Sequence, residues 1–309
     1  MTILISGASG LVGGALTKAL RADGQSVAHF VRTAAAAVAR AELPAASDDV
    51  RWDPARGEID VAAIEGADAV IHLSGASIAS GRWNAARKEL LRASRVDSTR
   101  LLVRAMAASG QKPRAFLCAS AIGIYGNRGD EILNESSAPG TDFLSGVARE
   151  WEAEARRAEE SGIRTVVLRF GVILAAEGGA LPRMAMPFRF GVGGRLGSGK
   201  QWMSWIALED VVGATRAVLG DEQISGPVNL VAPHPVRNKE FTPVLARVLH
   251  RPAVIPAPAF ALRLALGEMA DALLLVSQRV QPDRLLAGRF AFRYGELEPA
   301  LSALLNPGA

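Results

Sequence analysis

Three glycines at positions 7, 10 and 13 follow a short apolar run, Ile3–Ile5, near the start of the chain. Glycine at 7 can adopt the backbone of a tight turn, glycine at 10 leaves room for a pyrophosphate, and glycine at 13 lets a helix pack closely on the strand. The free amide groups at the start of such a helix face a bound phosphate. The spacing therefore predicts a dinucleotide-binding loop, whose residues are Gly7, Ser9, Gly10, Leu11, Val12 and Gly13.

The end of the second predicted strand carries the residues that would select between the nicotinamide dinucleotides. Arg32 and Thr33 follow Val31 there, with no acidic side chain to accept hydrogen bonds from the ribose hydroxyls of NAD. A guanidinium can instead pair with the 2'-phosphate of NADP through charge-assisted hydrogen bonds. We therefore expect NADP as the cofactor, with NAD less favoured. The alternative is that Arg32 only solvates the end of the strand.

Apolar strand-like runs alternate with helical ones as far as about residue 231, which is typical of a parallel sheet covered on both faces. Right-handed crossovers then predict an α/β fold with a doubly wound parallel sheet of Rossmann type, and a ligand crevice at the carboxyl ends of its strands. The predicted strands are Thr2–Ser6, Ser26–Val31, Ala69–Leu73, Ala115–Ser120, Thr165–Phe170 and Val228–Val231, and the predicted helices include Gly13–Ala22, Arg87–Ala108 and Val147–Ser161.

Two stretches depart from this alternation. Residues 178–205 are rich in Gly, Met, Phe and Arg, and predict a substrate-side insertion rather than a sheet element within a Rossmann domain at 1–233. Residues 234–309 predict a small, mainly helical C-terminal lobe. The stretch Ala34–Ala46 predicts a helix-rich connection without a catalytic role.

Composition limits the classes of partner. There is no run of about eighteen apolar residues, and a strand is predicted within two residues of Met1, so we expect no membrane partner and a cytoplasmic protein. The four histidines lack ligand spacing and predict no metal site, and the single cysteine, Cys118, is predicted to be a core residue. The net charge of +4 comes from basic residues interleaved with acids, which favours small anionic molecules over nucleic acid.

Further motifs accompany the glycine loop, namely Ser120–Gly126, Lys200–Ile206 and Glu209–Val211. With them the chain resembles the extended short-chain dehydrogenase/reductase superfamily, and more narrowly its atypical nucleoside-diphosphate-sugar epimerase-like subfamily. The resemblance covers essentially the full length, including a C-terminal domain of unassigned function. The other matching segments are Trp52–Pro54, His72–Ala76, Arg82–Trp83, Ser94–Arg95 and Phe290–Tyr294.

The resemblance implies further contacts with the cofactor. Leu73, Ser74, Gly75 and Ala76 stand where a small-residue turn of the superfamily passes the adenine ribose and the pyrophosphate, and small residues let the backbone come close. Arg95 stands at the first residue of a helix segment that faces the cofactor in the family. A surface arginine is the alternative for Arg95.

The resemblance also indicates that a catalytic pair is missing. Members that transfer hydride use Tyr-x-x-x-Lys, in which the lysine lowers the pKa of the tyrosine. The corresponding positions here are predicted to be Phe143 and Val147. The candidate catalytic residues are therefore Ser120, in the motif that supplies a carbonyl-polarising hydroxyl, and Tyr125. Their alternatives are a buried hydroxyl at the end of a strand and a pocket wall.

Taken together, the sequence predicts an NADP-binding oxidoreductase or epimerase-like protein that acts on a small substrate, anionic or nucleotide-linked. The alternative is a non-catalytic NADP(H)-binding sensor or scaffold, which the missing pair favours. If Arg183, Arg189, Arg195 and Lys200 of the insertion converge, they would hold phosphate groups of the substrate. A homodimer through the helix Arg87–Ala108 is a further expectation, with packing of that helix on the sheet as its alternative.

Overall fold

The computed structural model describes residues 1–32 and 49–306, and the predicted connection Ala34–Ala46 lies outside them. The strands of the described residues are β1 (Thr2–Ser6), β2 (Ser26–Arg32), β3 (Val50–Asp53), β4 (Glu58–Ile59), β5 (Ala69–His72), β6 (Ala115–Ala121), β7 (Ile132–Leu133), β8 (Arg164–Phe170), β9 (Val172–Leu174), β10 (Trp202–Met203), β11 (Trp205–Ala207), β12 (Gly226–Leu230), β13 (Val236–Arg237) and β14 (Arg279–Val280). The α-helices are α1 (Leu11–Ala22), α2 (Ala85–Ala108), α3 (Phe143–Arg156), α4 (Leu181–Arg189), α5 (Leu208–Gly220), α6 (Asn238–Leu249), α7 (Ala259–Leu266), α8 (Asp283–Ala287) and α9 (Leu297–Leu305).

The central sheet has the strand order β12, β8, β6, β5, β1, β2, β3, β4. All neighbouring strands are parallel except β3 and β4, which are antiparallel. The chain starts in the middle of the sheet, moves outward to β4 and then returns to β5, so the direction of winding reverses between β1 and β5. The predicted doubly wound α/β fold is thereby confirmed, with its ligand crevice expected outside the carboxyl ends of these two strands.

Helices cover both faces of the sheet, which explains why its strands are apolar along their whole length. On one face, Phe116 and Val167 of the sheet pack in a core with Trp151 of α3 and with residues of α2. On the other face, Ile5 packs in a core with Leu16 of α1 and with residues of α5.

All six predicted strands occur, and the short strands β3 and β4 were not predicted. The helix α1 begins at Leu11, within the glycine loop itself. The helix α3 begins at Phe143, four residues before the predicted start, because the Asp142 carboxylate accepts a hydrogen bond from the Ser145 amide at 2.9 Å. This cap places the stretch 143–147 in the first turns of the helix.

The C-terminal part is mainly helical, as predicted, and shares a core with β9, α4 and β11. In that core Trp205 packs with Phe241 and Leu245 of α6 and with Leu301 of α9. The expectation that residues 178–205 lack sheet elements is wrong in one respect. They contain α4, but also β10, which pairs with β13 in a two-stranded antiparallel sheet.

Candidate functional site

The glycine loop joins β1 to α1, and the backbone comes very close to its neighbours at two of the three glycines. Gly7 has a φ of +76°, and a Cβ atom there would lie 2.8 Å from the Leu73 carbonyl carbon. A Cβ atom at Gly13 would overlap the Gly7 carbonyl oxygen and lie 2.8 Å from the Ala8 Cα. At Gly10, by contrast, a Cβ atom would meet only that same oxygen, at 3.2 Å. The backbone of the loop is therefore most crowded at Gly7 and Gly13, and less crowded at Gly10.

The amide groups of the first turn of α1 lie next to Gly10. Gly10 precedes the helix, and no side chain caps it. The N–H groups of Leu11, Val12 and Gly13 consequently have no acceptor within the helix. Ser9 is exposed in the same loop. The helix dipole adds a partial positive charge at this end, so the arrangement suits an anion.

The turn after β5 lies against the glycine loop and is held from below by α2. The Leu73 amide donates a hydrogen bond to the Ser6 carbonyl at 3.1 Å. The Ala76 amide donates to the Ser94 hydroxyl at 3.0 Å, and the Ala76 carbonyl accepts from the Arg95 guanidinium at 3.0 Å. Two consecutive residues of α2 therefore fix the position of this turn.

The guanidinium of Arg95 is largely buried beneath the turn. It lies over the Trp151 ring at 5.4 Å from the centroid, and 3.3 Å from where a Cβ atom of Gly75 would stand. Burial, and then the charge of Arg87, lower the pKa of Arg95 to about 10, so that it stays a cation at neutral pH. It donates to the Leu91 carbonyl at 3.0 Å, and no carboxylate of the described residues forms an ion pair with it. A cation held in this way favours an anionic ligand.

A cavity of about 240 Å³ lies between the glycine loop, the turn after β5, the end of β6 and α3. It is at the carboxyl ends of the strands, where the fold predicts a ligand. Six predicted site residues line it, namely Val12, Leu73, Ser74, Gly75, Arg95 and Ser120. The remaining lining residues are Ile78, Ala119, Ala121, Gly123, Leu144, Val147, Ala148, Trp151 and Phe170.

The side of the cavity formed by α3 is apolar. We call it the α3 wall, and it consists of Leu144, Val147, Ala148 and Trp151. Their spacing of three, four and seven residues places them on one face of the helix. The sequence analysis identified only Val147 among these positions. The apolar repeat at helical spacing is the signal that would have found the other three.

Phe143 lies outside the cavity lining, although it was predicted to occupy the position of the catalytic tyrosine. Its ring packs edge-on against Trp83 at 5.5 Å between centroids, and the Lys88 ammonium lies 5.0 Å from its centroid. A Tyr-x-x-x-Lys pair needs two residues four apart, and the first such pair of lining residues on α3 is Leu144 and Ala148. With either pair of positions, neither a phenol nor an ammonium group faces the cavity from α3.

Ser120 lines the cavity at the end of β6 and is bound to a buried ion pair. Its hydroxyl donates to Glu152 Oε1 at 2.8 Å. The two oxygens of Glu152 accept from Arg169 Nε and from its terminal nitrogen, both at 2.8 Å, and both residues are buried. Burial by itself lowers the pKa of Arg169, but the hydrogen bonds and charge of Glu152 raise it above its usual value. Because the hydroxyl proton of Ser120 points to Glu152, its oxygen is free to accept a hydrogen bond from the cavity side.

Tyr125 is fully buried and does not line the cavity, which corrects the expectation of a pocket wall. Its hydroxyl donates to Asn229 Oδ1 at 2.7 Å and accepts from Arg169 at 2.9 Å. Burial raises the pKa of this phenol, and Arg169 only partly opposes the effect. A tyrosine that accepts a proton near neutral pH needs a lowered pKa instead. Tyr125 therefore helps to hold the Arg169 side chain in place, and it does not face the cavity.

A second buried network lies beneath the turn after β5. His72 Nδ1 is hydrogen-bonded to the Ser6 hydroxyl at 2.5 Å, and His72 Nε2 to the Ser98 hydroxyl at 3.1 Å. Burial, and then the charge of Arg95, lower the pKa of His72 to about 3, so its ring is neutral at physiological pH. In the sequence, His72 was only part of a matching segment, and its burial had no separate signal.

Arg32 lies exposed at the carboxyl end of β2, next to the end of β1 that carries the glycine loop. It does not line the cavity, and its neighbour in the sheet on the other side is β3. The four basic residues of the insertion are also outside the lining. Among them, Arg183 donates to the carbonyl of Ala79 at 3.3 Å, in the loop that follows the turn after β5.

Within residues 1–32 and 49–306, no group of three or more His, Cys, Asp or Glu side chains could hold a metal ion. Cys118 is buried, and burial raises the pKa of its thiol. Within the same ranges, every helix is too short or too polar to cross a membrane.

Comparison with known proteins gives full-length matches. The chain is 43% identical over 307 residues to the epimerase family protein Mb2239 of Mycobacterium bovis, covering 99% of this chain and 98% of that one. It is 40% identical over 306 residues to the epimerase family protein YfhF of Bacillus subtilis, with the same coverage. The crystal structure of human epimerase family protein SDR39U1 (isoform 2) with NADPH has a TM-score of 0.88 and 31% identity, and covers 99% of this chain and 100% of that one.

Family models agree with these matches. Residues 257–304, in the helical C-terminal part, match a domain of unknown function, DUF1731. Residues 3–230 match the model of the NAD dependent epimerase/dehydratase family, and this range contains the glycine loop, the turn after β5 and the α3 wall. The chain therefore belongs to the NAD dependent epimerase/dehydratase family.

Proposed function

We propose that this protein binds NADP(H) and acts as an oxidoreductase or epimerase-like enzyme on a small substrate. The observation that carries the proposal is the uncapped first turn of α1, whose Val12 lines the same cavity as Ser120. A dinucleotide needs this combination, since its pyrophosphate binds at the helix start and its reactive ring must reach a polar group of the site.

The residues of the cavity divide the proposed binding task among them. The amides of Leu11, Val12 and Gly13 would hold the pyrophosphate, with Gly7, Ser9 and Gly10 shaping the loop. Leu73, Ser74, Gly75 and Ala76 would pass along the ribose, and Arg95 would supply the positive charge beneath them. When bound, the cofactor would supply hydride exchange at C4 of its nicotinamide ring.

Arg32 is the proposed reason for preferring NADP to NAD. Its side chain is exposed, and the sequence at the end of β2 offers no acid for the ribose hydroxyls. The human relative SDR39U1, 31% identical, has a structure with NADPH. Both observations support a 2'-phosphate near the end of β2.

Ser120 is the proposed catalytic residue, and Tyr125 is not retained for that role. The Ser120 hydroxyl donates to Glu152, so its oxygen would accept a hydrogen bond from a hydroxyl of the substrate and hold that group in place. The α3 wall would exclude water from the reacting atoms, because its four side chains are apolar. Arg95 would favour a substrate with a negative charge.

A non-catalytic NADP(H) sensor remains the second candidate, and the α3 wall favours it. The test offers carbonyl compounds, quinones and nucleotide sugars to protein that binds NADPH tightly. If none changes the absorbance of NADPH at 340 nm, and no nucleotide sugar yields an epimer detectable by NMR, the sensor is the better description. Turnover of any of these compounds would exclude it.

Replacement of Arg32 tests the cofactor assignment. The Arg32→Ala variant should bind NADPH about 10- to 100-fold more weakly, because a charge-assisted contact to phosphate is worth about 1.5–3 kcal/mol. Its affinity for NADH should stay unchanged, since NADH lacks the 2'-phosphate. Both affinities are measured by titration calorimetry.

Arg104→Ala is the matched control, since Arg104 is exposed on α2, outside the cavity lining, and its loss changes the net charge equally. It should leave both affinities unchanged. Equal weakening of NADPH and NADH by Arg32→Ala would contradict the assignment to the 2'-phosphate. Absence of binding of either nucleotide to the folded wild-type protein would contradict the proposed function as a whole.

A further inference from the structure

A group of large apolar side chains is exposed on two segments, the residues that follow α4 and the residues from Val254 through α7. We call it the apolar rim, and it consists of Phe190, Val192, Val254, Ile255, Phe260 and Leu264. Phe190 and Leu264 are each 78% exposed, and Phe260 is 73% exposed. Single exposed apolar residues are ordinary, but a group of this size marks a surface that contacts something else.

The rim is one region because its two segments are hydrogen-bonded to each other. The Ile255 amide donates to the Gly193 carbonyl at 3.2 Å, and the Ala257 amide donates to the Arg195 carbonyl at 2.8 Å. Phe190 and Val192 directly precede the first segment, and α7 directly follows the second. The residues after α4 and before α7 are therefore neighbours in space.

The helix α7 is the most unusual part of the rim. Its sequence, AFALRLAL, is almost entirely apolar, yet none of its eight residues is buried. Phe260 and Leu264 are four residues apart and lie on the same side of the helix. Arg82 donates to the carbonyls of Leu264 and Ala265 at 2.6 and 3.2 Å, which ties the end of the helix to the body of the protein.

The two segments that carry the rim contain basic side chains and no acidic ones. Residues 178–203 and residues 247–266 contain no aspartate or glutamate, while they carry seven lysines and arginines: Arg183, Arg189, Arg195, Lys200, Arg247, Arg251 and Arg263. Two of these are compensated, since Arg247 pairs with Glu298 and Arg263 with Asp271. Among the described residues, Arg189 and Arg251 form no ion pair with a carboxylate. The rim therefore consists of apolar side chains, and the cations Arg189 and Arg251 lie in the same two segments without a carboxylate partner among the described residues.

We propose that the apolar rim docks on the surface of an anionic lipid bilayer. A helix with exposed apolar residues and neighbouring arginines inserts its apolar side chains at the headgroup boundary, while the cations bind lipid phosphates. A second copy of the chain fits less well, because a two-fold contact through the rim would bring its arginines against their own copies.

This inference goes beyond the proposed function and does not depend on a cofactor. It also differs from the expectation of no membrane partner in the sequence analysis. That expectation rested on the absence of a spanning segment, whereas surface docking depends on the exposure of α7, which hydropathy alone does not report.

A fluorescent label on α7 tests the proposal. The single native cysteine, Cys118, is buried and its thiol pKa is raised by burial, so a thiol reagent should react with an introduced cysteine instead. Leu264→Cys is labelled with an environment-sensitive nitrobenzoxadiazole dye and mixed with vesicles. We expect a blue shift and brighter emission with mixed phosphatidylcholine and phosphatidylglycerol vesicles, and no change with phosphatidylcholine alone. The control Leu90→Cys, at an exposed apolar residue of α2, should not respond to either.

Sedimentation with the same vesicles measures the strength of docking. The double variant Phe260→Glu, Arg189→Glu should lower the vesicle-bound fraction at least about tenfold, because it removes an apolar contact and reverses a charge. Leu90→Glu should leave the bound fraction unchanged, and circular dichroism should show that all variants are folded. NADPH affinity of the double variant should equal that of the wild type, which separates this proposal from the proposed function.

Two results would overturn the proposal. One is that the folded wild-type protein fails to sediment with phosphatidylglycerol vesicles at low ionic strength and the label at position 264 does not respond. The other is a concentration-dependent dimer, seen by light scattering, that Phe260→Glu abolishes. That result would assign the rim to contacts between copies of the chain.

Discussion

The two sides of the cavity differ in what they offer a ligand. The loop wall, made of the glycine loop (7–13) and the turn 73–76, offers backbone amides and one buried cation, Arg95. The α3 wall offers only apolar surface, and Ser120 beside it is the nearest hydroxyl on β6. Groups suited to hold a dinucleotide and groups suited to transfer a proton therefore lie on separate elements of this fold, and one set can be present without the other.

The polar groups buried behind the two walls also differ, because one network is neutral and the other is charged. Behind the loop wall, His72 is neutral and bonded to two serine hydroxyls. Behind the α3 wall, Glu152 and Arg169 form an ion pair buried on all sides. Protonation of the neutral network would place an uncompensated charge in the interior, which costs stability. Removal of either partner of the ion pair would have the same effect. The two walls should therefore respond differently to mutation and to pH.

The largest expected effect follows from breaking the ion pair. Arg169→Met should lower the free energy of unfolding by about 3–5 kcal/mol, because Glu152 is then left buried with only Arg156 as a charged partner. Urea unfolding followed by circular dichroism measures the change. Arg149→Met, at an exposed position of α3, should change it by less than about 0.5 kcal/mol.

A double variant distinguishes the ion pair from simple packing. Glu152→Leu combined with Arg169→Met should be less destabilised than the sum of the two single variants, because no uncompensated charge is left buried. If Arg169→Met is as stable as Arg149→Met, the α3 wall does not depend on the ion pair, and the contrast between the two networks fails.

The next largest effect is expected in the glycine loop. Gly13→Ala should weaken NADPH binding by about 100-fold, or about 2.7 kcal/mol, because its Cβ would overlap the Gly7 carbonyl and push α1 away from the loop. Titration of NADPH fluorescence measures the affinity.

Gly14→Ala is the matched control for that change. Its Cβ would lie 3.5 Å from the Ala8 carbonyl oxygen, which is an ordinary contact, and alanine favours the helix by about 1 kcal/mol over glycine. It should bind NADPH within about twofold of the wild type. Equal losses in the two variants would mean that the loop wall is not specified by close packing at Gly13.

Local patterns were sufficient to predict the glycine loop and six strands of the central sheet, whereas the turn 73–76 and Arg95 followed from the family resemblance. The strands of the sheet are short apolar runs with turn residues between them, and the glycines act through their own backbones, so both signals lie within a few residues of sequence. The same is true of the absence of a phenol and an ammonium on α3, which the sequence states directly. The position of Arg32 at the end of β2 also followed from local order.

The second wall could not be predicted in this way, because it depends on contacts between distant residues. Ser120, Glu152 and Arg169 come from β6, α3 and β8, and the assignment of Tyr125 depends on Asn229, 104 residues further along the chain. The residues of α3 that face the cavity also differ from those expected. The helix begins after its cap at Asp142, and Leu144 rather than Phe143 lines the cavity. A single sequence carries no record of such pairings.

The smallest of the three effects concerns pH and the loop wall. In the folded protein His72 has a pKa of about 3, whereas an unfolded histidine has a pKa of about 6.5. Between these values only the unfolded state binds the proton, so falling pH stabilises the unfolded state. His72 should therefore cost the folded protein about 2 kcal/mol at pH 5 relative to pH 7, and nothing above pH 7. In His72→Gln, urea unfolding should show a loss between pH 7 and pH 5 that is smaller by this amount, even though the variant is less stable at pH 7. Equal slopes for wild type and His72→Gln would show that the folded protein also protonates the ring between pH 7 and pH 5, and would contradict a neutral network behind the loop wall at pH 5.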